Sequence, residues 1–211
     1  MRMIDLSQTI EHGMPSYPGT PGPQFQSLSS IETHGYAEQQ LTLSSHTGTH
    51  IDLPSHILPG GCSLDDLTLD RFTGNGIAID LRGSVGGVIT VGALQAFGTQ
   101  IEECDFLLLC SGWSNYWGNP EYYEGYPVLS ADAALWLTEF HLKGIGVDMI
   151  SVDAPDSVDF PVHRQLLESD ILLIENLADL SPLLHSPFHF YCFPLKIAKA
   201  EASPVRAAAF V

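Results

Sequence analysis

The sequence predicts a β-rich α/β fold, a mixed sheet or barrel-like core with flanking helices, on three observations. Short apolar runs suited to strands outnumber stretches of helical periodicity, which speaks against an open doubly wound sheet. Gly and Pro turn signals punctuate the chain throughout, with no internal repeat, low-complexity tract or Pro/Ser linker. Of the 211 residues, 45% are apolar and 16% charged, enough to bury one sizeable core and too apolar for a disordered acidic chain. A single domain over residues 1–211 is expected.

In chain order, residues 1–9 read as a first strand. Residues 14–23 carry Pro15, Pro18, Pro21 and Pro23 with Gly19 and Gly22, and are a loop. Leu41 and Leu43 alternate with polar neighbours in a strand over 39–45. Apolar runs at 76–81 and Phe106–Cys110 suit buried strands, and 91–97 is a short helix. A helix over 130–142 starts at Ser130 as N-cap, carries Ala133, Ala134, Leu137 and Phe140 at helical spacing, and stops before Gly144. A strand at 146–150 follows, then a helix over Pro161–Glu168 with Pro161 in its first turn, and a strand at 171–174. Strands at 195–198 and 205–211 finish the chain, divided by Ser203-Pro204.

Lys and Arg total 8 against 25 Asp and Glu, a formal charge of −17. Such a chain repels phosphate backbones and anionic lipid surfaces, so neither nucleic acid nor membrane is an expected partner. No apolar run approaches the roughly 18 residues of a spanning helix. Asp5 falls where a signal peptide would begin its apolar stretch, and a cytoplasmic location is expected. The 4 cysteines form no C-x-x-C and no dense disulfide framework. Cys110, closing an apolar run, reads as a small buried hydrophobe.

The densest chemistry is His46-Thr47-Gly48-Thr49-His50-Ile51-Asp52-Leu53-Pro54-Ser55-His56. Imidazole nitrogen and carboxylate oxygen both bind Zn²⁺ at about 2.0–2.2 Å, so the ligand Cα atoms of one ion lie within roughly 13 Å of one another. On a flat strand, at about 3.3 Å per residue, His46 and His50 would be near that limit, whereas His50 and Asp52 share a face. The strand is therefore expected to break near Gly48, with Pro54 fixing the exit. A lone histidine here would be an ordinary core or loop residue; three with an acid in eleven residues are a metal site.

A second region holds Asp153, Asp156 and Asp159, then His163 at the start of a helix and Glu175 directly after four apolar residues. A helix and its returning strand bring such ends together. Glu175 is costly there unless paired or metal-bound, or it is an acid at the sheet rim. His12, His34, His141, His185 and His189 read as surface or packing residues, though His189, in the run Phe188-His189-Phe190-Tyr191, could line a pocket. The segment from Trp113 to Tyr126 is a pocket wall or a packed loop. There is no G-x-S-x-G, no G-x-G-x-x-G, no H-E-x-x-H, and the glycine-rich 83–87 segment has no lysine.

The run from His46 to His56 resembles the H-x-G-T-H-x-D-x-P-x-H signature of the metal-dependent cyclase family, which includes bacterial kynurenine formamidases. Asp5-Leu6-Ser7, Gly13-Met14-Pro15, Tyr17-Pro18-Gly19, Ser111-Gly112-Trp113, Leu129-Ser130, Asp148, Ser157-Val158-Asp159, Glu175-Asn176-Leu177 and Ser203-Pro204-Val205-Arg206 extend the resemblance over nearly the whole chain. It implies a swivelling β/β/α fold assembled as homodimers or higher homo-oligomers. It also implies that His46, His50 and Asp52 bind one ion, that Asp52 bridges to a second held by His163, and that Glu175 touches both. His56 would be the proton donor and acceptor, not a ligand. Zn²⁺, two ions per chain, is the implied cofactor, with Mn²⁺ used by some members. Formamidases of the family carry Trp-Pro-Gly-Asp where this chain has Tyr17-Pro18-Gly19-Thr20. Tyr17 takes the place of the substrate-contacting Trp, which broadens the expected substrate from N-formylkynurenine to small amides, lactams such as isatin, and lactones.

The expected reaction is hydrolysis of such an acyl compound by water that the ion activates, with His56 shuttling the proton. A metal-dependent lyase or dehydratase would use the same ion and base. A non-catalytic metal-binding protein would have no need of His56 beside its ligands.

Overall fold

The computed structural model describes residues 2–83 and 87–211. Met1 and Ser84, Val85 and Gly86, the middle of the 83–87 segment, lie outside the described residues. Strands β1 (Met3–Asp5), β2 (Gln24–Ser29), β3 (Glu38–Thr42) and β4 (His50–Asp52) come first, with helix α1 (Ile31–His34) between β2 and β3. There follow β5 (Thr73–Asp80), β6 (Val88–Ile89), α2 (Val91–Leu94), α3 (Gly98–Glu102), β7 (Phe106–Cys110), β8 (Val128–Leu129) and α4 (Ala131–Leu137). The chain ends with β9 (Gly144–Val147), α5 (Pro161–Glu168), β10 (Leu172–Glu175), β11 (Phe188–Pro194) and β12 (Ala202–Phe210).

Seven strands close into a mixed β-barrel in the order β12-β11-β5-β7-β9-β10-β4, with β4 pairing back onto β12. β5, β7, β9 and β10 are parallel, and β4 and β11 run against their neighbours. β1 adds to the free half of the β12 edge, Met3 opposite Phe210. Closure removes the exposed edge that an open sheet of this length would present.

The all-apolar run of β7 is explained by two separate cores. Leu107 and Leu109 point outward under the helices, into a cluster with Ile145, Val147, Leu173, Ala133, Leu137 and Leu166. Phe106, Leu108 and Cys110 point into the barrel, against Ile51, Ile174, Phe190 and Ala207. Parallel strands joined by helical crossovers are covered on both faces, hence no polar alternation. α4 starts where expected, the Ser130 hydroxyl accepting from Ala133 N at 3.1 Å, but ends at Leu137 rather than 142. Phe140 lies beyond the helix in a turn, its ring edge-on to Trp136 at 4.7 Å.

β9 begins at Gly144, earlier than the expected 146. Gly144, expected to stop the helix, instead opens this strand, and a Cβ there would meet Ile174 Cδ1, Leu172 O and Phe106 Cε1 at 3.0 Å. A Cβ on Gly146 would meet Leu108 Cδ2 at 2.5 Å and Leu177 Cδ1 at 2.7 Å, so both glycines mark tight strand packing. The strand expected at 195–198 is absent: β11 ends at Pro194, and Ile197 N turns back onto Leu195 O at 2.9 Å. Leu195 and Ile197 are exposed, so their alternation has no core face behind it. β2 and β3 form a separate hairpin whose residues are exposed except Ser29. All four cysteines are free, with Cys104, Cys110 and Cys192 buried.

Candidate active site

β4 supplies the centre. Gly48 adopts φ +64°, which ends the preceding loop and lets the ladder start at His50, as the spacing argument requires. His50 and Asp52, two residues apart, face the same side, and His50 lies directly opposite Glu175 of β10. Ile51 between them points into the barrel core, opposite Ile174. The donors therefore sit on the outer face of the barrel wall, beneath α5, at the carboxyl end of β10 and β9. That is the end of a parallel sheet where ligands usually bind.

His163, in the first turn of α5, is buried against this wall, with Nε2 3.2 Å from Glu175 Oε1 and 3.8 Å from Asp52 Oδ2. His50 Nε2 lies 3.4 Å from Asp52 Oδ1 and 3.6 Å from Glu175 Oε2. Its Nδ1 donates to the Gly48 carbonyl at 2.8 Å, which leaves the Nε2 lone pair for the site. From the loop before Gly48, His46 brings Nδ1 to 2.9 Å from Asp52 Oδ1. Two donor clusters result, His46–His50–Asp52 and Asp52–His163–Glu175, which share Asp52.

Asp52 Oδ1, Asp52 Oδ2 and Glu175 Oε1 are buried and accept no well-aligned hydrogen bond, although His46 Nδ1 and His163 Nε2 lie 2.9 and 3.2 Å from two of them. Leaving such oxygens unmatched costs free energy, and a cation among them removes the cost. The donor set of imidazole and carboxylate fits a divalent metal. Burial works against the Asp52 carboxylate, but the His50 and His46 imidazoles hold it well below the usual carboxylate range. Burial also works against protonated His163, yet the Asp153 and Glu175 carboxylates push it up to about 10. His46 is raised in the same way, burial being outweighed by Asp52.

His56 differs. It ends the short 3₁₀ turn Pro54–His56, and its ring is 4.3 Å from that of His46 and 6.2 Å from that of His163. It belongs to neither donor cluster. Burial, with the neighbouring His46 and His163, lowers its proton affinity despite Asp52, which favours the neutral ring.

A cavity of about 390 Å³ opens over these groups. The proline-rich loop contributes Pro15, Ser16, Tyr17 and Thr20 to its lining. Thr20 N donates to Tyr17 O at 2.9 Å, so the Pro18-Gly19 pair forms a turn that presents the Tyr17 ring. The segment from Trp113 to Tyr126 supports the pocket from behind rather than lining it. Buried Tyr122 donates to Asn176 Oδ1 at 2.7 Å, and Tyr123 Oη accepts from Ser16 N at 3.3 Å. His189 is not in the cavity; it pairs with Thr73 Oγ1 across the sheet at 2.9 Å.

Several site residues had no distinct sequence signal. Glu201 Oε1 is 3.5 Å from His46 Nε2 and accepts from Ser45 Oγ. Asn176, at φ 58°, donates from Nδ2 to the Gly48 carbonyl at 3.1 Å. Asp153 lay within the acidic second region, but only the fold shows that it bonds His163.

Fold and site together define the class: a barrel enzyme of the metal-dependent hydrolase kind. The chain belongs to the family described as "Putative cyclase", which matches residues 4–154, and is a kynurenine formamidase-like amide hydrolase within it. The kynurenine formamidase of Bacillus cereus is 33% identical over 205 residues, covering 97% of this chain and 95% of the relative. A structure described as a potential metal-dependent hydrolase with cyclase activity superposes with TM-score 0.82 at 25% identity, covering 99% of this chain and 97% of that one. Isatin hydrolase A from Ralstonia solanacearum shares the fold at TM-score 0.87 and 24% identity, over 100% of this chain and 92% of its own.

Proposed function

We propose that the chain hydrolyses the C–N bond of a small amide, lactam or related acyl compound, in the manner of an arylformamidase. The observation that carries this reading is the set of buried, unpartnered oxygens on Asp52 and Glu175 facing the His46, His50 and His163 rings. Two clusters sharing Asp52 support two ions per chain, Zn²⁺ by the imidazole-rich donor set and Mn²⁺ as the alternative. A divalent ion held there supplies Lewis acidity, polarising the scissile carbonyl and lowering the pKa of water from 15.7 toward about 7.

The chain's own residues do the rest. His56, neutral and beside the clusters, accepts a proton from the attacking water on a ring nitrogen. It returns that proton to the leaving nitrogen as the C–N bond breaks, so one water is consumed and acid and amine are released. Tyr17 offers an aromatic wall with a hydrogen-bonding tip, suited to an aryl amine. Arg164 is the one Lys or Arg in the lining, and no carboxylate of the described residues pairs with it. A substrate bearing a carboxylate fits that charge.

The negative charge favours a small-molecule substrate over nucleic acid or membrane surfaces. The exposed β2–β3 hairpin, with Phe25, Leu28, Ile31, Tyr36 and Leu41 open to solvent, supports a homodimer or higher homo-oligomer, since a lone hairpin is marginal in water. The helices over one barrel wall agree with the swivelling β/β/α arrangement.

Assaying N-formyl aromatic amines, isatin-like lactams and lactones with added Zn²⁺ or Mn²⁺ tests the reaction. Turnover of at least one class is expected; none on metal-saturated protein would sink the hydrolase reading. Elemental analysis of the same samples should give two ions per chain, and Glu175→Gln should reduce that number.

A further inference from the structure

We propose that Asp153 is a positioning residue that builds the second donor cluster by fixing the tautomer of His163. Asp153 is 3% exposed, and the hydrogen bonds its carboxylate accepts all come from α5. Oδ1 accepts from Val162 N at 3.0 Å, and Oδ2 accepts from His163 N at 3.0 Å and from His163 Nδ1 at 2.7 Å. A carboxylate in this role has no proton to give, so the Nδ1 position carries it. In the neutral ring that a metal ligand must be, the Nε2 lone pair then faces Glu175 Oε1 and Asp52 Oδ2.

One carboxylate thus does two things that a free histidine on a helix would need separately. It satisfies two of the unpaired N–H groups in the first turn of α5, and it locks the ring that projects from that turn. Asp153 is itself anchored, because Tyr126 Oη donates to its carbonyl at 3.0 Å. From the other side the Phe160 ring stands edge-on to His163 at 5.9 Å, on a residue held at φ 45° just before Pro161. Backbone in that region persists only where the surroundings over-determine it. The ring therefore has neither freedom to flip nor a second tautomer compatible with its neighbours.

This inference rests on reading Asp52, His163 and Glu175 as a cation-binding cluster, and not on the substrate. Asp153→Asn preserves size and leaves one oxygen for a backbone N–H, but turns an NH₂ donor toward Nδ1. The proton then moves to Nε2, which points a donor at the cluster. Titrating metal-free protein with Zn²⁺ by calorimetry, with His163→Gln as reference, should show the ion that depends on His163 bound 10–100-fold more weakly in Asp153→Asn, the range for lost second-layer partners. The ion at His46–His50–Asp52 should be retained. Long-range ¹H–¹⁵N spectra of the native Zn²⁺-loaded protein should show His163 protonated at Nδ1, a readout that does not require the variant to fold. Native affinity in Asp153→Asn while His163→Gln loses the ion, or a proton at Nε2 in the native spectrum, overturns the proposal and leaves the cluster intact. If His163→Gln binds every ion as the native protein does, the cluster reading falls and this inference with it.

Discussion

His56 touches the site without belonging to either set of donors, and this separation can be measured. His56→Ala should keep its metal and lose about 10²–10⁴ in kcat, the usual contribution of a general acid–base. His50→Ala should lose metal and activity together, since its Nε2 faces both Asp52 and Glu175. Because burial lowers the proton affinity of His56, the acidic limb of its pH profile should lie below the ordinary histidine value of about 6.5 and change shape in His56→Ala. A variant that loses metal as fully as His50→Ala would make His56 a ligand. Tyr17→Ala should raise KM or shift substrate preference at unchanged metal content; identical kinetics on every substrate would return Tyr17 to a packing role. At this scale the sequence was highly legible where the donors are neighbours along the chain, from His46 to His56. Asp153, Asn176 and Glu201 were not, because their chemistry comes from contacts across the fold: Glu201 meets His46 only through the return of the chain into β12.

Elements were legible wherever a side chain's local chemistry decides the backbone. Ser130 announces α4 and Pro161 announces α5, and both begin as read. The helix stop expected at Gly144 and the strand expected at 195–198 both yield to tertiary packing that local sequence does not carry: Gly144 opens β9, and Leu195 and Ile197 have no core face behind them. Gly146 gives the sharper test, since Gly146→Ala drives a methyl into the Leu108 and Leu177 side chains inside the barrel core. Overpacking of this kind costs about 1–3 kcal/mol, so urea denaturation should show a lower midpoint with unchanged slope. A neutral effect would mean that β9 has room the structure does not indicate. β2 escaped notice because Gln24–Ser29 buries only Ser29 and so carries no alternating pattern.

For the whole molecule, the −17 charge is the dominant long-range term. Self-repulsion of like charge disfavours a compact chain, and added salt shortens its reach from about 10 Å at 0.1 M to 3 Å at 1 M. The thermal midpoint of metal-free protein should therefore rise with NaCl concentration; a flat or falling midpoint would mean that local pairs such as Asp5–Arg206 and Asp80–Arg82 outweigh the net charge. The barrel's closure has a consequence for the timing of synthesis. β4 is only three residues long, yet it is the last link of the ring, paired to β10 at His50–Glu175 and to β12 at His50–Pro204. His50 and its neighbours His46 and His56 leave the ribosome early, while the strands that must flank β4 are made last. Contacts so distant along the chain form late and slowly. For most of its synthesis the nascent chain displays three histidines and an aspartate with no frame to hold them around an ion. Completing the barrel and becoming able to take up metal are one event, so shortening the chain by its final strand should abolish ion binding although that strand contributes no ligand.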